Sequence, residues 1–216
     1  MLNSTILYYS ANAEDEVFTE NIRKNILKHS NDLPIVSVTQ KPIDFGKNIC
    51  VGEHDNCYHN GARQVQIGLL EIDTPYVIVT NADTLYPPEY FQFQTTERGH
   101  VYRYNNVWVH YMQFNGKPKF WFKGISHCAQ MLDREAWFRR IYKSIGKLPR
   151  WRIDKTATIP SIHFRGYKHM TIGNPVITFK TGHGVKGNTA TKRGHLPKYS
   201  LPYWGEANEL REKMFK

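Results

Sequence analysis

Hydrophobic and polar positions alternate in two rhythms along the first 95 residues. Short β-type runs at residues 5–9, 34–39, 48–51 and 76–80 are each nearly continuous in apolar or β-branched side chains, as in strands buried on both faces. Between them lie two stretches of helical period. Residues 15–29 place Phe18, Ile22 and Ile26 on one stripe, and residues 60–72 place Ala62, Val65, Leu69 and Ile72 on another. Strands alternating with helices predict βαβ units and a mostly parallel sheet.

After the Tyr86-Pro87-Pro88-Glu89 turn the rhythm changes. Residues 101–114 alternate apolar and polar side chains, which predicts antiparallel strands with one wet face. A helix follows over 133–145, with Trp137, Ile141 and Ile145 four apart, Asp133 as N-cap and Gly146 just past the end. Residues 182–203, rich in Gly, Pro, Lys and His, predict a mobile loop.

Composition changes this picture little, and charge changes it more. The 216 residues suit one domain. No apolar run approaches the ~20 residues of a membrane span, and the first residues do not read as a secretory leader, so none is expected. Three cysteines, an odd number, point to free thiols in a reducing compartment. The expected location is the cytoplasm. Net charge is +10, but residues 1–138 carry 12 basic and 15 acidic side chains, and 139–216 carry 17 and 4. A carboxyl third of net +13 points to a polyanionic partner or to a solvated basic face.

Neither a glycine-rich dinucleotide fingerprint nor a P-loop is present. The informative stretch is the buried run 76–80, whose carboxyl end delivers Asn81, Ala82 and Asp83 where open α/β sheets bind ligands. An Asp there can hold a hard divalent cation, or it can cap the following turn.

Residues 74–91, with Asn81-Ala82-Asp83 in the three motif positions, resemble the strand and DXD motif of GT-A-fold glycosyltransferases, especially the inverting family-two type. Asn replaces the first Asp. The resemblance continues through Asn60-Gly61-Ala62-Arg63, through Asp133-Arg134-Glu135-Ala136-Trp137-Phe138, and through Arg165-Gly166-Tyr167. It implies an α/β fold, a GT-A (Rossmann-like) mixed sheet with flanking helices in a single domain. Residues 1–95 would be the nucleotide-sugar-binding half, 96–185 the acceptor-binding and catalytic half, and 186–216 a basic flexible carboxyl-terminal segment.

The same resemblance implies site residues. Ser10, Asn12, Gln40 and Arg63 would grip the nucleoside. Asp83 and His183 would hold Mn²⁺ (or Mg²⁺), since imidazole suits manganese better, and Lys186 would neutralise the diphosphate. Asp154, the sole acid between Glu135 and Glu206, would be the general base for the acceptor hydroxyl; an ion pair with Arg150, Arg152 or Lys155 is the plain alternative. The donor would be a nucleotide sugar, a UDP-sugar favoured.

For the acceptor, Trp151, Tyr199, Tyr203 and Trp204 among the basic residues suggest hydroxymethylated DNA, with phosphates tracked and a flipped base stacked. A glycan or lipid-linked acceptor, or a non-catalytic nucleic-acid-binding module, are the alternatives. Cys50, His54, Cys57 and His59 offer zinc-type ligands, but their spacing matches no standard site; free thiols and loop histidines are the expectation.

Overall fold

A computed structural model describes residues 3–112, 116–153, 164, 166–170, 173–182 and 195–216. The amino-terminal half runs β1 (Ser4–Ser10), α1 (Glu16–His29), β2 (Ile35–Thr39), β3 (Lys47–Cys50), α2 (Tyr58–Leu70) and β4 (Tyr76–Asn81). Next come β5 (Thr84–Leu85), α3 (Pro88–Gln92), β6 (Val101–Arg103), β7 (Val107–Tyr111), β8 (Lys119–Gly124), β9 (Gln130–Asp133) and α4 (Arg134–Ile145). The described remainder holds β10 (Lys168–His169), β11 (Val176–Phe179), β12 (Ser200–Leu201), β13 (Gly205–Glu206) and α5 (Ala207–Phe215).

Seven strands form the main sheet in the order β10-β6-β9-β4-β1-β2-β3. The strands β3, β2, β1 and β4 are parallel, while β9 runs against both β4 and β6, so the sheet is mixed. Ile6 and Tyr8 of β1 enter one core with Phe18, Ile22 and Ile26 of α1, and Leu7 enters the other with Ala62, Val65 and Leu69 of α2. Alternate side chains of one strand therefore hold a helix layer on each face. The sheet crosses residue 95 without a break, since Met131 of β9 pairs with Ile78 of β4. The expected mixed α/β sheet with flanking helices in a single domain is what forms.

Local signals explain the helix ends. The Asp15 carboxylate accepts from the Phe18 amide at 2.9 Å, and that of Asp133 accepts from the Ala136 amide at 2.9 Å. Both are N-caps. Gly146 closes α4 at φ +80°, its amide donating to the Tyr142 carbonyl.

Two expectations are corrected. The stretch 101–114, over its described part 101–112, makes antiparallel pairs, β6 with β9 and β7 with β8, but no wet face: β6 joins the main sheet and β7 a second sheet ordered β5-β11-β7-β8, and residues 101–103 and 107–110 are all buried. Tyr104 and Asn106 mark the crossing, bonded to the Asn174 and Gly173 carbonyls. The segment 186–216, over its described part 195–216, packs on the body through α5. Leu201, Ala207, Leu210 and Met214 are buried, Phe215 stacks on Phe18 of α1 at 4.5 Å, and Asn21 donates to the Met214 carbonyl. The charge count hid this apolar stripe among Lys and Glu.

Candidate active site

Strand β1 lies between β2 and β4, and the chain leaves it toward opposite edges of the sheet. Such a switch point opens a crevice at the carboxyl ends of the strands, where ligands bind. Ser10 ends β1, Gln40 follows β2 and Asn81 ends β4, so three expected residues arrive there together.

The turn after β4 passes Ala82 and Asp83 into β5. Thr84 donates its hydroxyl to Asp83 Oδ1 at 2.9 Å, and the Phe179 amide donates to the Asp83 carbonyl at 2.7 Å. Burial pushes the Asp83 carboxyl above its ordinary range, opposed by the Thr84 hydroxyl and by the charges of Lys123 and Lys180. Asn81 donates its amide to the Tyr86 hydroxyl at 3.0 Å, while its buried Oδ1 has no partner among the described residues. A half-buried carboxylate and, two residues before it, an orphaned amide oxygen are a donor set that suits a hard cation. Among the described residues no three His, Cys, Asp or Glu side chains converge as a metal cluster, so Asp83 and Asn81 make at most part of a site.

Past the carboxyl ends of β1 and β2 lies a cleft of about 520 Å³, lined among others by Asn12, Gln40, Glu53, His54, Trp151 and Arg152. Asn12, in the left-handed region at φ +52°, accepts with one oxygen from the amides of Gln40 and Lys41 at 2.9 and 3.0 Å. Asn tolerates that backbone and ties the β1 loop to the β2 loop. Its own amide donates to Ser10 Oγ at 2.9 Å. Gln40 spends Oε1 on the His54 amide, leaving Nε2 without a partner among the described residues.

Arg63 reaches the cleft through another side chain. Its guanidinium lies 4.1 Å from the Trp151 ring, and that ring stacks on His54 at 3.9 Å. Arg63 is therefore a buttress of the cleft wall rather than part of its lining.

The sequence pattern misses what holds the wall. Three buried amides of α2, at polar positions beside its apolar stripe, act as ties. Gln64 donates to the Ser10 and Val38 carbonyls. Gln66 donates to the Gly146 carbonyl and accepts from Leu148. Asn60 donates to the Asp55 and Arg152 carbonyls and accepts from the Arg152 amide. Asn60 and Gln64, four apart and uncharged on the inner side of a helix, were the available signal.

Asp154, His183 and Lys186 lie outside the described residues. Trp151 to Ile153, just before Asp154, line the cleft, and Thr181, two residues before His183, donates to Glu14 in the loop after β1. The residues considered for zinc do not converge: His54 bonds the Val51 carbonyl, Cys57 is buried at the start of α2, and the thiols are free.

No family model matches the chain, and no curated protein matches its sequence. Among solved structures it is similar to a glycosyltransferase involved in glycosylation of the major capsid of PBCV-1, at 7% identity and TM-score 0.41, over 66% of this chain and 65% of that one. It is also similar to the bifunctional IspDF of Campylobacter jejuni, at 10% identity and TM-score 0.38, over 65% of this chain and 43% of that one. A third, HddC of Yersinia pseudotuberculosis, stands at 8% identity and TM-score 0.38, over 62% of this chain and 78% of that one. Likeness at this level is of chain path, and the chemistry rests on the residues above.

Proposed function

We propose that the chain is an inverting glycosyltransferase that takes a sugar from a nucleotide sugar, a UDP-sugar favoured. The observation that carries this is the cleft at the carboxyl ends of β1 and β2, with the Asn81-Ala82-Asp83 turn at the same end of the neighbouring strand β4. Its volume falls within the range of small-ligand sites. The unpaired Gln40 Nε2 offers a donor suited to a pyrimidine carbonyl.

Asp83, with Asn81 Oδ1 and His183, would hold Mn²⁺ or Mg²⁺, which when bound supplies positive charge to the diphosphate. Lys186 adds to that charge, and Lys123 and Lys180 already act on Asp83. Asp154 takes the proton of the acceptor hydroxyl as its oxygen bonds the anomeric carbon. The bond from that carbon to the diphosphate oxygen breaks, and the nucleoside diphosphate leaves with the electron pair.

The acceptor reading shifts toward a glycan or lipid-linked hydroxyl. Of the four aromatics that suggested base stacking in DNA, Trp151 is engaged by His54 and Arg63, and Trp204 donates to the Pro175 carbonyl. Tyr199 and Tyr203 are the exposed pair. Among the described residues no helix is long and apolar enough to cross a membrane.

Calorimetry with UDP in Mn²⁺ and in EDTA tests the donor site. Tighter binding with Mn²⁺, abolished as a difference by Asp83→Ala, is expected; equal affinity in both buffers rejects the metal reading. In turnover assays Asp154→Asn should keep nucleotide binding and lose about 100-fold in transfer. Nucleotide binding without turnover on any sugar donor would favour a non-catalytic module.

A further inference from the structure

The strap that follows α4 carries a feature beyond its share of the cleft wall. It leaves the helix at Gly146, runs along α2 in the opposite direction, and is pinned by Gln66 at Gly146 and Leu148 and by Asn60 at Arg152. Since α4 also packs on α2, the last turns of α4 and the strap share one side of the molecule.

That side is both basic and apolar. Between Arg134 and Ile153 stand seven Lys or Arg and one Glu, a net +6. A groove of about 410 Å³ on α4 is lined by Ala136, Arg139, Arg140 and Lys143, and the Arg140 guanidinium lies over the Phe164 ring at 5.2 Å. Lys147, Arg150 and Arg152 of the strap are exposed. Set among them, Tyr142 is 49%, Leu148 39% and Ile153 93% exposed. Leu148 is held at φ +44°, a left-handed backbone unfavourable for a residue with a Cβ, and it is still 39% exposed there. A strained residue that keeps part of an apolar side chain in water points to a use for that side chain.

We propose that this surface docks the protein on an anionic phospholipid bilayer. The cations of α4 and the strap meet the headgroup phosphates, and Leu148, Ile153 and Tyr142 enter the boundary between headgroups and acyl chains. Exposed aliphatic side chains favour a bilayer over a nucleic acid, which binds through phosphates and planar stacking. Trp151 to Ile153 also line the cleft, so docking brings its mouth to the membrane surface. The proposal goes beyond the transferase reading and does not depend on it.

Cosedimentation with vesicles tests it, using pure phosphatidylcholine against an equimolar mixture with phosphatidylserine. Binding to the mixed vesicles only, weakened by salt, is expected. Lys143→Gln and Lys147→Gln should each weaken binding by about fivefold. Leu148→Gly should weaken it severalfold while melting no lower than the parent, because glycine takes the left-handed backbone freely. That pair of readouts separates insertion from a structural role. Equal sedimentation with both vesicles, or Leu148→Gly binding as well as the parent, overturns the proposal. Duplex DNA binding at physiological salt, unaffected by Leu148→Gly and displacing the vesicles, also overturns it and makes the surface a nucleic-acid site. None of these measurements needs nucleotide or turnover, so failure here leaves the cleft chemistry untouched.

Discussion

Asp83 and Asp133 are the same residue type with opposite electrostatics. Burial would raise the Asp133 carboxyl, but the Arg98 guanidinium and the Ala136 and Gly99 amides outweigh it and hold it below the usual range. Asp83 has one neutral hydroxyl on its carboxylate and lysine charge nearby, and burial wins. A folded-state pKa above the unfolded value means that the native state binds the proton more tightly. Stability is then lost as pH rises from the ordinary Asp range of about 3.9 through the folded value, and the loss persists at neutral pH. Asp83→Asn should therefore melt higher than the parent at neutral pH, by about 2–4 °C if the cost is near 1 kcal/mol. The gap should close toward pH 4, as Asp83 becomes protonated in the parent. Melting curves at both pH values check this, and coincident curves at neutral pH would show that Asp83 carries no such cost.

At the scale of elements, α2 does the most to form the site. It presses on the sheet through Gly68, where an added Cβ would meet Leu7 Cδ1 at 2.4 Å and Val38 Cγ2 at 3.1 Å. Helix propensity favours Ala over Gly by about 1 kcal/mol, yet overpacking a fully buried contact costs about 1–3 kcal/mol. Gly68→Ala should thus be destabilising, with a lower denaturation midpoint. It should also weaken nucleotide binding, because Gln64 and Asn60 ride on the same helix. A midpoint equal to or above the parent's would show that Leu7 can yield. The apolar stripe of α2 was legible in the sequence; its amide ties were not, because their partners are carbonyls of Ser10, Val38, Asp55, Gly146 and Arg152, up to 92 residues away.

For the whole molecule, the carboxyl-terminal helix decides whether the basic third is a tail or part of the body. Phe18 of α1 touches Phe179 of β11 and Phe215 of α5, so three distant segments close one core. Leu210 is buried in that core. Leu210→Ala should cost about 2–4 kcal/mol, lowering the melting temperature by about 2–4 °C per kcal/mol for a chain of this size. A flexible tail would give no change, so an unchanged melt would undo the docked-helix description.

The sequence by itself determined the local conformations and their order: four parallel strands from near-continuous apolar runs, three helices from stripes of period 3.6, the cap Asp133, the glycine stop at 146, and the placing of Asn81-Ala82-Asp83 at a strand end. These are set by neighbours a few residues apart, and periodicity records them. Tertiary structure alone decided the splitting of 101–112 between two sheets, the docking of α5, and the seating of Arg63 over the Trp151 ring. It also brought His54 and Trp151, nearly a hundred positions apart, into one stacked wall. Each of those depends on which long-range partner satisfies a buried polar or aromatic group, and one-dimensional spacing carries no record of that choice.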